Sequence, residues 1–275
     1  MWVDTHCHLD FIDRTPGHEA GADPGPLRVA ADAHALGVRA IVIPAVEVGN
    51  FETCAQLGAA APNAAYALGI HPICVPQARP EHLDRLRTRV EQAMDDPNFV
   101  AIGEIGLDYF IPALCTPEMR DKQEEYYRAQ LKIARDFDLP VLLHVRRSQD
   151  KVLKHLRQIR PLRGIAHAFN GSIQQATNFI DLGFKLGFGG AMTFTRALQI
   201  RRLAVQVPLD AIVLETDAPD ISPAWLHPAR NSPEQLPAIG AALAEMRGVA
   251  VGEIETATTA NSLAAIPRLS SLILS

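Results

Sequence analysis

Long apolar runs are missing from this 275-residue sequence, and none approaches the roughly 20 residues that a membrane-spanning helix needs. No membrane partner is therefore expected. Cysteine is sparse: Cys7, Cys54, Cys74 and Cys115 are widely scattered and form no Cys-x-x-Cys pair. That argues against a disulfide framework and for reduced thiols in a cytoplasmic protein. Positive charge is not in excess. The formal net charge of -5 argues against a generally basic nucleic-acid-binding surface, so a phosphate-rich ligand would have to be held at a local site. No G-x-G-x-x-G turn follows the first strand, which weakens an open dinucleotide-type sheet. There is no internal repeat, low-complexity tract or linker, and residues 1–275 read as one domain. A secretory signal is not expected either, because a candidate metal motif begins almost at the first residue.

What is present is an ordinary globular balance, 48% hydrophobic and 21% charged, with ample material for a core. Apolar runs at 1–8, 38–46, 64–70, 99–105, 140–145, 164–169, 184–189 and 211–216 read as strands. Between them, amphipathic stretches at 27–36, 51–60, 80–94, 117–137, 149–159, 172–182 and 196–207 predict helices, with two more at 233–247 and 251–265. The strands are continuous apolar runs, as in a parallel sheet covered by helices. Eight such units predict an α/β fold, a single closed (β/α)8 TIM barrel. The Pro/Gly-rich stretch at 15–26 is long for a connection, a length common in lids and binding loops.

In such a barrel, chemistry belongs at the carboxyl ends of the strands. Asp4, His6 and His8 fall on one face of the first run, where two imidazoles can reach one metal ion together. His71, Glu104, His144, His167 and Asp217 each stand where a later apolar run gives way to its loop. Four histidines and two carboxylates exceed what one ion needs, and suit two ions sharing a bridging carboxylate. Imidazole with carboxylate fits zinc, manganese or iron, while magnesium prefers a site richer in oxygen. The expected cofactor is a pair of divalent ions, zinc, manganese or magnesium.

At these residues the chain resembles the TatD family of metal-dependent hydrolases, and within it the YjjV-type branch. The resemblance runs through DTHCHLDF (4–11), GIHP (69–72), GEIGLD (103–108), LPVLLHVRR (139–147), HAFNGS (167–172), GFGGAMT (187–193) and LETDAPD (214–220). Their order and spacing are jointly specific. The resemblance implies a TIM barrel of the amidohydrolase type carrying one to three divalent ions, with metal-dependent nuclease activity in several members. Carried over by motif, His6, His8 and Asp217 would bind one ion, with Glu104 as the bridge. His144 and His167 would complete a second site with Glu104, and His71 would sit beside the pair, facing substrate. Many amidohydrolase relatives bridge their metals with a carboxylated lysine on the fourth strand; FVAIGEIG has no lysine, which leaves the bridge to Glu104. Two departures stand out. Asn170 in HAFNG replaces a hydroxyl residue, which puts inherited substrate preference in doubt, and Val145 stands where a small polar residue is common.

The expected function is metal-dependent hydrolysis of an ester bond, as a phosphodiesterase or deoxyribonuclease of exonuclease type. Its expected partner is nucleic acid at single-stranded DNA ends, and its expected state a monomer. Asp217 and Glu104 are the candidate catalytic residues, with Asp217 taking the attacking water's proton. Glu215 reads as a polar residue one layer below. Arg146 or Arg147, and Arg230 with Asn231, could clamp a phosphate, for which the guanidinium fork is suited. Tyr109 and Phe110 could stack on a base. His18, His34, His82, His155 and His227 are expected to be bystanders. Two other classes stay open. The same site could hydrolyse an amide, lactone or aminoacyl ester, including one on tRNA, and a closed apolar pocket would favour that; or the metals could stabilise a binding protein without turnover.

Overall fold

Every side chain of Val38–Pro44 except Arg39 is buried, because both faces of this strand are covered. Ala40 and Val42 join Val3, Ala65, Ala67, Val100, Ala101, Leu142, Ile165 and Val213 in one apolar cluster, the interior of a barrel. Ile41 and Ile43 pack instead with helix residues such as Val29, Ala30 and Ala33. The same alternation recurs around a computed structural model that describes residues 1–14, 25–160 and 163–273.

The strands are β1 (Trp2–Asp4), β2 (Val38–Pro44), β3 (Ala64–Leu68), β4 (Phe99–Asp108), β5 (Val141–Arg146), β6 (Gly164–Ala166), β7 (Phe184–Phe188) and β8 (Ile212–Leu214). They pair in parallel in sequence order as an eight-stranded sheet. Beyond β1 the Thr5 amide donates to the Leu214 carbonyl at 3.1 Å and the Asp217 amide to the His6 carbonyl at 2.8 Å, which draws the two edges together. Helices α1 (Pro26–Ala35), α2 (Phe51–Ala60), α3 (Pro80–Ala93), α4 (Pro117–Asp136), α5 (Gln149–Ile159), α6 (Ile173–Asp181) and α7 (Leu198–Gln206) lie between successive strands. After β8 come α8 (Leu236–Arg247), α9 (Val251–Ala265) and α10 (Ser270–Ile273). This is a (β/α)8 TIM barrel. Among the described residues no helix is long and apolar enough to cross a membrane.

The amino end of the barrel is sealed. Ile266 and Leu269 are buried in the interior cluster, and the Arg268 guanidinium donates to the carbonyls of Phe99, Met94 and Asp96 at 2.5, 2.9 and 2.8 Å. Only the carboxyl end is left for chemistry.

Several strand ends differ from the expected ones. The first strand stops at Asp4, so His6 and His8 lie beyond it. There the Cys7 amide bonds the Val42 carbonyl and the His8 amide the Ala218 carbonyl, an extended path shared between two neighbours without a regular ladder. β6 stops at Ala166 and β8 at Leu214, short of the expected 169 and 216. Just past each, Ala168 (φ 43°) and Asp217 (φ 57°) adopt the left-handed conformation, which breaks the strand path. β4 runs on to Asp108, three residues further than expected. Most of the 15–26 loop and His18 lie outside the described residues.

Candidate metal centre

Glu104, buried in β4, sits among four imidazoles. Its Oε2 is 3.2 Å from His6 Nε2 and 3.4 Å from His8 Nε2; its Oε1 is 2.8 Å from His144 Nδ1 and 3.3 Å from His71 Nε2. Asp217 closes the other side: Oδ1 is 3.8 Å from His6 Nε2 and 3.7 Å from His8 Nε2, and Oδ2 is 3.7 Å from His167 Nε2. The His167 ring stacks on His6 with centroids 3.6 Å apart.

Three groups of donor atoms have all members within 4.8 Å of one another: His6, His8 and Asp217; His6, Glu104 and His167; His71, Glu104 and His144. Two donors each about 2.1 Å from one ion at a tetrahedral angle lie about 3.4 Å apart. The spacings around Glu104 and Asp217 therefore fit shared cations. All the expected ligands converge here, and His71, expected to face substrate, approaches Glu104 as closely as His6 does. His167 groups with His6 as well as with Glu104.

The electrostatics divide the imidazoles, since against burial His8, His144 and His167 are raised by their carboxylate neighbours, while His6 and His71 are lowered. Burial, with further repulsion from His167, holds His6 well below the ordinary imidazole value, and burial likewise lowers His71. Neutral His6 has a lone pair to offer, whereas His71 spends its own at Nδ1 on the Ile73 amide (3.0 Å) and turns its Nε2 proton toward Glu104. Burial also pulls on His167, but the Glu215 and Asp217 carboxylates outweigh it and raise the group to about 10. Burial lifts Asp217 to about 6 against the pull of His167 and His8. With no ion between them, protonated His167 supplies the positive charge that these buried carboxylates need, and a divalent cation would take over that part.

Two carboxylates hold ligands without joining them. Gly106 pairs with His144 and Asp108 with Arg146 across β4 and β5. A side chain at Gly106 (φ +149°) would strike the His144 carbonyl, so the close approach requires glycine. This register puts Asp108 Oδ2 3.1 Å from His144 Nε2, which leaves Nδ1 for Glu104. Burial opposes ionisation of Asp108, yet His144 and the amides of Phe110 and Ile111 hold its carboxyl at about 2. At the other side Glu215 Oε1 accepts from the Ala168 amide at 2.6 Å and lies 3.1 Å from His167 Nδ1, which aims Nε2 at Asp217. Such carboxylate partners fix the tautomer and orientation of ligating histidines. The position of Glu215 was legible in the sequence but its role was open. Asp108 was missed, although it lies four residues beyond Glu104 in the same strand.

The remaining expected residues divide. Asp4 turns away from the cluster to accept from the Thr216 amide and hydroxyl at 2.9 and 2.6 Å. Arg146 is exposed at the end of β5, 3.8 Å from Asp108. Arg230 donates to the Ile12 carbonyl at 3.5 Å, and Asn231 is buried with its amide donating to the carbonyls of Thr216 and Asp220. Asn231 thus staples the loop after β8 and is not free for a phosphate. His155, expected to be a bystander, is buried against Glu124 at 2.9 Å and belongs to none of the three donor groups.

A parallel barrel with a buried histidine and carboxylate cluster at its carboxyl mouth defines the class of metal-dependent TIM-barrel hydrolases. Within that class the chain belongs to the TatD family: the family model described as TatD related DNase matches residues 3–266. It is 38% identical to the uncharacterized metal-dependent hydrolase YjjV of Escherichia coli, over 95% of this chain and 96% of that one. The crystal structure of that TatD homologue superposes with a TM-score of 0.87, covering 97% of this chain and 98% of the other. The putative deoxyribonuclease TATDN3 of mouse is 30% identical over 98% of this chain and 90% of its own length.

Proposed function

We propose that this metal-dependent hydrolase is a deoxyribonuclease that removes nucleotides from single-stranded DNA ends with a pair of divalent ions. The observation that carries the reading is Glu104, whose two oxygens each face a different set of imidazoles. His6, His8 and Asp217 would hold one ion and His144 and His167 the other, with Glu104 between them; His71, its Nδ1 accepting from the Ile73 amide, would stand beside the pair with its Nε2 proton. Bound there, the ions would supply a water of lowered pKa and neutralise charge on the phosphoryl oxygen. Asp217 is partly open to the mouth and can take the water's proton, while Glu104, fully enclosed, keeps the two halves in register. Arg146 lies at the rim on the side of His144, where its fork can meet a substrate phosphate.

The family description and the name of the mouse relative support the choice of a phosphodiester. An amide, lactone or aminoacyl substrate would call for an enclosed pocket beside the ligands. The cavity against Asp217 and Glu215 has about 20 Å³, room for about one water. That cavity is too small for such a substrate.

The test is hydrolysis of single-stranded DNA and bis(p-nitrophenyl) phosphate by protein stripped of metal and resupplied with Mn, Mg or Zn. Metal-dependent release of mononucleotides is expected, with Asp217→Ala lowering kcat by about 10²–10⁴. A folded, metal-loaded protein that turns over neither substrate would refute the reading and direct the search to esters, lactones and aminoacyl-tRNA.

A further inference from the structure

Beside the metal centre stands an aromatic and guanidinium cluster of which the proposed chemistry uses only Arg146. Phe110, just past β4, is 43% exposed, a large fraction for a phenyl ring beside a polar site. The Arg146 guanidinium lies 3.9 Å from its centroid and that of Arg147 4.6 Å. Successive residues of a strand point to opposite faces, so two consecutive arginines do not ordinarily meet one ring. Here Arg147 has φ +54°, in the left-handed region that non-glycine residues adopt sparingly, and this turn brings both guanidiniums to Phe110. Such a conformation at a site's edge is where function is sought.

The donors of both arginines are unspent. Among the described residues neither guanidinium makes a hydrogen bond, and the one ionic neighbour, Asp108, is 3.8 Å from Arg146. Asp108 is itself 3.1 Å from His144 Nε2, so the cluster stands one side chain away from the candidate ligands. Tyr109 turns instead to α4, with Arg120 4.7 Å from its centroid and its hydroxyl donating to Glu124 at 3.0 Å. In a chain of net charge -5, Phe110 and its two guanidiniums place cations and a half-exposed aromatic ring together at one part of the mouth. Aromatic faces beside arginines are the means by which single strands are held without sequence readout: bases stack on the rings and the forks take the phosphates.

We propose that Phe110, Arg146 and Arg147 form the subsite for the nucleotide next to the scissile phosphate, which selects single-stranded polynucleotides over small phosphodiesters. The base stacks on Phe110 and displaces a guanidinium from the ring; the freed forks bind the flanking phosphate. This rests on the deoxyribonuclease reading above and deepens it.

The test uses the full chain with Ca²⁺ in place of the catalytic metal and a single-stranded oligonucleotide carrying 2-aminopurine next to its terminal linkage. Binding to the wild type is expected to change the probe's fluorescence and to weaken with salt. Phe110→Ala and Arg147→Ala should each weaken binding about ten-fold or more, and Phe110→Ala should abolish the fluorescence change. Phe110→Trp, which keeps a stacking face, should restore binding, a recovery that a merely structural role would not give. Variants that bind the strand as tightly as the wild type would overturn the subsite alone. Wild-type protein that neither binds nor cleaves the strand would remove the deoxyribonuclease reading, and the subsite with it, before any variant is compared.

Discussion

His144 offers Nδ1 to Glu104 because Asp108 occupies its Nε2. The other histidines around Glu104 approach it through Nε2. One carboxylate thus decides which nitrogen of one ligand is available, and its loss should be felt in metal affinity before anything else. Asp108→Ala is expected to weaken metal binding about 10–100-fold, read by competition with a chromophoric chelator. Asp108→Asn keeps an acceptor for the Phe110 and Ile111 amides, so a drop in this variant too would separate the hold on His144 from loop geometry. Unchanged affinity in both would remove Asp108 from the site. The residues gathered here were legible where each closed an apolar run, as His6, His8, Glu104, His144, His167 and Asp217 do. Asp108 escaped because it sits inside a strand that ran longer than its apolar pattern. Its signal was the even spacing from Glu104, which puts both on one face of an extended chain. Asn231 misled for the opposite reason: a polar residue in a loop can be spent entirely on its own backbone, as its three carbonyl partners show.

The elements were readable because apolar periodicity marks a strand or helix even where hydrogen bonding ends early. It does not mark where a ladder stops, since the left-handed turns at Ala168 and Asp217 leave no hydrophobic trace. Away from the mouth, α4 and α5 meet through Glu124, which accepts from Tyr109 and Lys151 at 3.0 Å and lies 2.9 Å from His155. Burial works against its charge, but these partners hold the carboxyl at about 2, below the ordinary 4.5. Folding therefore favours the carboxylate, and the stability it contributes is present above pH 4.5 and fades as the pH falls toward 2. Glu124→Gln should lower the urea midpoint at about pH 6 and differ much less from the wild type at about pH 3. Both proteins would be measured metal-free, so that loss of ligands at low pH does not enter. A gap between them that widens toward low pH would contradict this account of the α4–α5 contact.

For the whole molecule, the sealed amino end and the crowded carboxyl mouth make metal binding and folding one equilibrium. His6 and His8 follow β1, Glu104 lies in β4, His144 in β5, His167 follows β6 and Asp217 follows β8, so a bound ion links strands from around the barrel. An ion that binds the folded chain and not the unfolded one adds stability with the logarithm of its free concentration, about 1.4 kcal/mol per decade above its Kd. Two ions held independently would add about 2.8 kcal/mol per decade while both sites are saturated. Urea unfolding at a series of buffered metal concentrations reads this slope directly. The two-ion arrangement predicts a shallow rise as the tighter site fills and about double the slope once the second does. Glu104→Gln, which weakens the bridge common to both, should move both stages to higher metal concentration. A single slope of about 1.4 kcal/mol per decade across the range would reduce the centre to one ion, with Glu104 as an ordinary ligand. No dependence on metal would mean that the imidazoles around Glu104 are satisfied by one another, and the proposed chemistry would lose its source of activated water.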